Sequence, residues 1–340
     1  MTNKKTMIIA IFETKPWEES MIKRELKGQR LLFFKEPIQK VPLKKYQSAE
    51  VITGFITSKI DAKIIKSLPK LKLIATRSTG FDHIDLKTAA EKKVKVVNVP
   101  TYGENTVAEH AFALILNLSR NVHKSYLRSL KKDYSIEGLK GFDLQDKTIG
   151  IIGCGHIGLH VIRIARGFGM DVLVYDINRD KFLSETLNFK YASLNELLKK
   201  SDVISMHLPY CKTTHHIINK KNIKLIKKGA ILVNTARGGL IETEALIQAL
   251  DKNILKGVGL DVLEEENLLL EEHHITKRQK NNNKEMILLL QDHKLLKKDN
   301  VIYSTHIAFY SQEAVDRITK TTIENIKAFI KGKIENEVKG

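Results

Sequence analysis

The sequence predicts an α/β protein built from two doubly wound parallel sheets, and two observations carry that prediction. Short apolar runs alternate with helical patterns along residues 7–100, and a second such series opens at Lys147 with the glycine turn "GCGHIG". Near-continuous apolar strands separated by helices imply a sheet buried on both faces, because crossover helices cover each side. A chain of 340 residues is long enough for two separate cores, and 42% apolar against 28% charged residues argues against wholesale disorder.

In the first series Met7–Glu13, Arg30–Phe34, Ala49–Ile56, Leu71–Ser78 and Val94–Pro100 read as strands, and Trp17–Leu26, Asp61–Leu68 and His83–Lys93 as the helices between them. One long helix is expected from Thr106 to about Leu130, because Val107, Ala111, Leu114, Ile115 and Leu118 recur at helical spacing. The segment Glu137–Asp146 breaks it. The second series places strands at Thr148–Gly153, Asp171–Asp176, Asp202–Pro209, Ala230–Arg237 and Gly257–Leu263. From Glu264 to Asn300 the pattern loosens, and Asn267–Lys298 reads as a surface excursion carrying one helix at Lys284–Lys298. A last strand, Val301–His306, precedes an amphipathic helix from Ser311 to about Lys331, with Val315, Ile318, Thr322, Ile326 and Phe329 on one face.

Composition excludes several classes of function. The formal charge is +18, but the excess is mostly lysine spread along the chain. Without an arginine-rich stripe interleaved with aromatics, nucleic acid is not the expected partner. No apolar run reaches the ~18–20 residues of a membrane span. The N-terminal run at Met7 is too short for a secretory signal and reads as a buried strand. Two cysteines, Cys154 and Cys211, make no disulfide framework, so the expected compartment is the cytosol. Adjacent histidines at His215–His216 and His273–His274 sit in polar surroundings and read as solvated rather than as metal ligands.

The turn itself has a definite chemistry. Gly153 permits a tight turn, Gly155 lets a pyrophosphate approach the backbone, and Gly158 lets helix pack on strand, while the helix N-terminus supplies N–H groups and positive potential. Asp176 ends the next strand 18 residues beyond Gly158. A carboxylate there accepts from the ribose hydroxyls and repels a 2′-phosphate, which favours NAD over NADP; Arg179 nearby pulls the other way.

Downstream, Arg237 follows a buried strand, Asp261 and the run Glu264–Glu266 end the next, and His306 ends the last. Each taken singly has a bland reading, as an end-of-strand charge, a solvated acidic run or a structural histidine. Together they fit hydride transfer to a 2-keto acid. That reaction needs a cation with a fork of donors to orient a carboxylate, and an acid to protonate the oxygen that becomes alkoxide. A carboxylate beside an imidazole favours its protonated form.

The order GxGxxG, aspartate, "VNTARGG", "DVLEEE" and a late histidine resembles the D-isomer-specific 2-hydroxyacid dehydrogenase family over nearly the whole chain, and "STHIAFYSQEA" is most similar to its D-lactate dehydrogenase branch. The resemblance implies a Rossmann NAD-binding domain, residues 103–304, inserted into a flavodoxin-like substrate domain, residues 1–102 plus 305–340. It implies His306 as acid/base, Glu266 as its partner (29 residues beyond Arg237, the spacing that selects it over Glu264) and Arg237 as the substrate arginine. It further implies that Ser78, Thr79 and Gly80 bind the substrate carboxylate through backbone amides, with Tyr102 touching it. On the cofactor side it implies Thr106, Val107, His156, Ile157, Leu208, Pro209, Thr214, Thr235, Ala236 and Asp261 alongside the three glycines and Asp176. A homodimer is the implied assembly. The departures are Thr305 in place of the usual proline, Cys211 in place of a threonine, and Ile241–Glu242 in place of valine–aspartate. None removes a reacting group. The expected substrate is a small 2-keto acid, pyruvate first. The alternatives are an NAD(H)-sensing corepressor-like protein on the same fold, or a phosphoglycerate, glyoxylate or phosphite dehydrogenase.

Overall fold

The computed structural model describes residues 6–264, 266 and 283–338. The chain divides into two compact units, Met1–Tyr102 with Ser311–Gly340, and Gly103–Tyr310.

In the first unit β1 (Ile8–Ile11), β2 (Arg30–Phe33), β3 (Val51–Gly54), β4 (Leu73–Thr76) and β5 (Lys95–Val97) form a parallel sheet in the order β2-β1-β3-β4-β5. Alternation along each strand sends residues to opposite faces. Ile9, Ile11, Val51, Leu73 and Ala75 enter one core, and Ala10, Phe12, Ile52 and Ile74 the other. Helices α1 (Pro16–Glu25), α2 (Ala62–Ser67) and α3 (Leu86–Glu91) connect the strands. The C-terminal helix, labelled α11 below (Gln312–Ile330), packs Ile323 and Ile326 onto the same face as α1.

In the second unit β6 (Thr148–Ile152), β7 (Asp171–Tyr175), β8 (Lys190–Tyr191), β9 (Val203–Met206), β10 (Ala230–Asn234), β11 (Leu255–Leu260) and β12 (Val301–Tyr303) form a parallel sheet in the order β12-β11-β10-β9-β6-β7-β8. Helices α4 (Glu104–Arg120) and α6 (His156–Gly167) cover one face with Ala111, Ile115, Val161 and Ile162. Helices α8 (Leu194–Lys200), α9 (Thr243–Asp251) and α10 (Asn283–Leu296) cover the other, with Leu197, Leu246 and Leu295 in its core. Two shorter helices, α5 (Val122–Ser129) and α7 (Lys181–Thr186), complete the unit among the described residues. Asp61, Asp85, Asp180, Ser193 and Ser311 start their helices by accepting the amide three residues on.

Two expectations are corrected, and one strand is added to those the sequence indicated. The long helix is two: Asn121 adopts φ +53° between α4 and α5, and its side chain donates to the carbonyls of Leu139 and Lys140. The apolar spacing runs on through Val122, Tyr126, Leu127 and Leu130, but α5 buries none of its residues. The edge strand β8, two residues long, carries no period that a sequence could show. The return to the first unit falls at Ser311 rather than at residue 305, because the turn at 306–308 is bonded to Asp261 of the second unit.

One buried group carries a cost. Asp292 in α10 is fully buried with neither carboxylate oxygen partnered among the described residues, and burial, with the Glu264 charge second, pushes its carboxyl up to about 7. The folded protein keeps this proton over a range in which the unfolded chain has lost it, so the contribution to stability falls as pH rises towards 7. Asp292→Asn is therefore expected to raise Tm more at pH 8 than at pH 5, and to change it little only near pH 3, where the carboxyl is neutral in the folded and the unfolded chain alike. Equal shifts at pH 8 and pH 5 would show that the carboxyl is ionised throughout.

Candidate active site

In the second unit the predicted residues gather at the carboxyl ends of six strands, taken across the sheet from β12 to β7. His306 follows β12, Asp261 and Glu266 follow β11, Thr235, Ala236 and Arg237 follow β10, Leu208–Thr214 follows β9, the glycine turn follows β6, and Asp176 follows β7. Thr106 and Val107 are buried in the first turn of α4, which packs on β10 and β11. In open α/β sheets ligands bind beyond this edge, because helix N-termini converge there.

Glu266 holds the His306 ring, and Asp261 holds its backbone. Its Nδ1 lies 2.7 Å from Glu266 Oε1. An ionised carboxylate only accepts, so beside it the Nδ1 proton is donated to Glu266 and Nε2 lies outside that bond. Glu266 Oε2 is buried without a partner, so His306 provides that carboxylate's hydrogen bond among the described residues. The backbone of His306 sits at φ +55°, a left-handed conformation that a non-glycine residue keeps only when its surroundings impose it. Here they do. The His306 amide donates to the Asp261 carbonyl, and the Ile307 and Ala308 amides donate to the Asp261 carboxylate, each at 2.9 Å. Asp261, fully buried, also accepts from Ser304 Oγ at 2.6 Å. Both Asp261 carboxylate oxygens thus accept from the histidine turn.

Glu264 is committed elsewhere. Its Oε1 lies 2.7 Å from His216 Nε2, and its Oε2 accepts from Thr243 Oγ1 at 2.9 Å. The spacing argument for Glu266 over Glu264 thus agrees with which carboxylate reaches His306.

Arg237 leaves β10 in extended backbone and donates from Nη1 to the Ala236 carbonyl at 2.8 Å. Asn234 Nδ2 donates to the Arg237 carbonyl at 2.9 Å and holds the turn. The next residue must be glycine: a Cβ at Gly238 would stand 1.9 Å from the Leu263 carbonyl oxygen, so the loop after β10 lies directly against the loop after β11.

The glycine turn fits a dinucleotide. Gly153 has φ +102°, and a Cβ on Gly158 would stand 2.2 Å from the Gly153 carbonyl oxygen. A Cβ on Gly155 would meet nothing within 4 Å, which leaves the open cradle that a pyrophosphate needs. Gly155 opens α6 with no side-chain cap, and exposed His156 and half-buried Ile157 follow it. Asp176 Oδ2 accepts from the Cys154 amide at 2.6 Å and Oδ1 from the Asn178 amide at 2.8 Å, so the carboxylate braces the turn. Each carboxylate oxygen retains acceptor capacity for a ribose hydroxyl. Thr235 Oγ1, buried without a protein partner, is a further polar atom for a bound cofactor to satisfy. Thr214 Oγ1 donates to the Pro209 carbonyl and closes the loop that begins at Leu208.

In the first unit Ser78, Thr79 and Gly80 follow β4, and Tyr102 follows β5. Ser78 Oγ donates to the Gly80 carbonyl at 2.6 Å, and Thr79 Oγ1 donates to the Val99 carbonyl at 2.8 Å. Asn98 Nδ2 donates to the Thr79 carbonyl at 2.8 Å. With side chains and carbonyls spent on the loop itself, the Thr79 and Gly80 amides, which have no hydrogen-bond partner among the described residues, are its free donors.

His110 and Ser304 belong to the site and were not singled out in the sequence. His110 Nε2 lies 2.9 Å from Ser304 Oγ and 3.4 Å from Asp261 Oδ1, bracing the turn that carries His306. The available signal was a histidine on the otherwise apolar face of α4, in "VAEHAFALIL". His215 and His216 stack with ring centroids 3.7 Å apart. Among the described residues no three His, Cys, Asp or Glu are grouped to hold a metal. Glu265, His273 and His274 lie outside the described residues, as does the tract from 267 to 282.

The chain and its fold have counterparts in known proteins. The family described as D-isomer specific 2-hydroxyacid dehydrogenase, NAD binding domain, matches residues 112–308. The chain belongs to the D-isomer-specific 2-hydroxyacid dehydrogenases, which are NAD-dependent oxidoreductases. The D-lactate dehydrogenase of Escherichia coli is 34% identical over 330 residues, 96% of this chain and 98% of that protein. The glyoxylate reductase of Thermococcus litoralis is also 34% identical, over 336 residues, 95% of this chain and 94% of that protein. Among solved structures, D-lactate dehydrogenase from Aquifex aeolicus, complexed with NAD and lactic acid, superposes with a TM-score of 0.87 at 37% identity, covering 98% of this chain and 99% of that one. No helix among the described residues is long and apolar enough to cross a membrane.

Proposed function

We propose that the chain is a cytoplasmic, NAD-dependent enzyme that reduces a small 2-keto acid to the D-2-hydroxy acid, with pyruvate as the favoured substrate. The observation that carries this reading is the His306–Glu266 pair, 2.7 Å apart, past the ends of β12 and β11, with Arg237 past the end of β10, the next strand in the sheet. Arg237 and the amides of Thr79 and Gly80 bind the substrate carboxylate, and Tyr102 adds a contact to it. A nicotinamide bound beyond the strand ends supplies the hydride that reaches C2, and takes it back in the reverse direction. His306 Nε2 gives its proton to the carbonyl oxygen as that oxygen gains charge, and Glu266 holds the ring in the tautomer that allows it. Gly153, Gly155 and Gly158, with the amides at His156 and Ile157, hold the pyrophosphate. Asp176 takes the ribose hydroxyls, while Thr106, Val107, Leu208, Pro209, Thr214, Thr235 and Ala236 line the cofactor. Preference for pyruvate is supported by "STHIAFYSQEA" and by the lactate-named relatives; the glyoxylate reductase relative makes glyoxylate the second candidate.

The test is NADH oxidation with pyruvate, glyoxylate and a series of longer 2-keto acids. Pyruvate is expected to give the highest kcat/KM. A higher value for glyoxylate would change the substrate, and tight NADH binding without turnover of any acid would replace the enzyme by a nucleotide-sensing protein. In the same assay Asp176→Ala is expected to lower the NADH-to-NADPH ratio of kcat/KM about tenfold or more, the value of one or two lost hydrogen bonds to a charged acceptor. An unchanged ratio would remove Asp176 from cofactor selection.

The assembly we propose is a homodimer formed through the cofactor-binding unit. Val122, Tyr126, Leu127, Leu130, Tyr134 and Ile136 are all more than half exposed and lie together in sequence on and just after α5. Six exposed large apolar side chains within fifteen residues support a covering partner. Light scattering is expected to return twice the chain mass, and a monomer would reject the assembly.

A further inference from the structure

Arg77 is 1% exposed, an exceptional state for a guanidinium, and it directly precedes Ser78–Gly80. Its Nη1 donates to Glu18 Oε1 at 2.8 Å, and Glu18 is itself 1% exposed. Its Nη2 donates to the carbonyls of Phe12 and Glu13, just past β1. The guanidinium lies 4.2 Å from the Phe55 ring centroid, after β3, and the Arg77 amide donates to the Gly54 carbonyl at 2.9 Å. Glu18 is fixed in turn, since its Oε2 accepts from the Lys15 amide at the start of α1. One side chain thus ties the carboxyl ends of β1 and β3 and the first turn of α1 to the end of β4.

Stability does not explain this arrangement. A buried ion pair costs desolvation that apolar residues of similar volume avoid, and replacing one by such residues is often neutral or stabilising. Arg77 Nε is moreover buried without a partner, which adds to the cost. What the pair does supply is a rigid, directional anchor one residue before the loop whose Thr79 and Gly80 amides are free.

We propose that Arg77, held by Glu18, is a positioning residue that sets the direction of the Thr79 and Gly80 amides and thereby the affinity for the substrate carboxylate. This rests on the reading that those amides bind the keto acid. Arg77 itself touches neither substrate nor cofactor.

The test is the double variant Glu18→Leu/Arg77→Met, assayed for keto-acid reduction, NADH affinity and Tm. A displacement of about 1 Å in a binding group costs on the order of 10²-fold, so KM for the keto acid is expected to rise by about that factor. NADH affinity, which resides in the other unit, and Tm are expected to stay close to the parent values. A folded double variant with the parent KM overturns the proposal. Should the double variant fail to fold, Arg77→Lys keeps the charge but loses the fork; it is expected to raise KM, and an unchanged KM would be equally fatal. Gly80→Val separates the two layers of the argument. If it raises KM while the Arg77 variants do not, the positioning role fails alone; if neither raises KM, the loop does not bind the substrate.

Discussion

Replacing His306 by glutamine is expected to lower keto-acid reduction by about 10²–10⁴-fold, the range supplied by a positioned general acid, while NADH binds as before. Glutamine offers a donor of similar reach but cannot act as a general acid near neutral pH. The substitution also leaves the turn intact, because φ +55° at this position is imposed by the Asp261 carbonyl and carboxylate, which bind backbone amides rather than the ring. Single-turnover measurement with bound NADH isolates the chemical step from product release. Near-normal turnover in this variant would move the proton donor to another residue. A fall in NADH affinity of similar size would mean that the ring serves binding instead.

Arg237→Met should have the next largest effect. The side chain's length and flexibility are kept, and the fork of charged donors is lost. Hydrogen bonds to charged groups contribute about 1.5–3 kcal/mol each, so kcat/KM is expected to fall by about 10²-fold or more, much of it as a higher KM for the keto acid. Arg237→Lys is expected to recover little, because an ammonium cannot present two parallel donors to a carboxylate. Full recovery by lysine would show that only charge is needed, and an unchanged KM in Arg237→Met would remove the arginine from the substrate.

Much of the architecture was legible because its signals are local. The β6 turn could be read glycine by glycine, since each glycine answers a steric demand within a few residues: φ +102° at Gly153, an open cradle at Gly155, a carbonyl contact at Gly158. The strands were legible as continuous apolar runs because both faces of each sheet are covered. Where reading by period failed, the reason is equally physical. Apolar spacing continues from α4 into α5, but period reports a face and not whether anything packs against it; α5 shows the face without the partner. The break at Asn121 depends on carbonyls of Leu139 and Lys140, nearly twenty residues away, which no window over the helix contains.

The site divides in the same way. Sequence alone determined the class of chemistry: a dinucleotide turn with its acid, then an arginine, a run of glutamates and a histidine, each ending a buried strand. Those identities follow from residue type and order, which the chain carries by itself. Only the tertiary structure decided how they combine. Glu266 and His306 are 40 residues apart and meet because β11 and β12 are neighbours in the sheet, while Glu264, two residues earlier, is drawn to His216 and Thr243. Asp261, expected to line the cofactor, also anchors the histidine turn, assisted by His110 and Ser304. Arg77, which sequence offered only as the last residues of a strand, is a buried tie among four segments. Hydrogen bonds between distant segments depend on sheet order and on the direction each side chain takes from its strand, and both are set by packing the whole core rather than by any local run of residues.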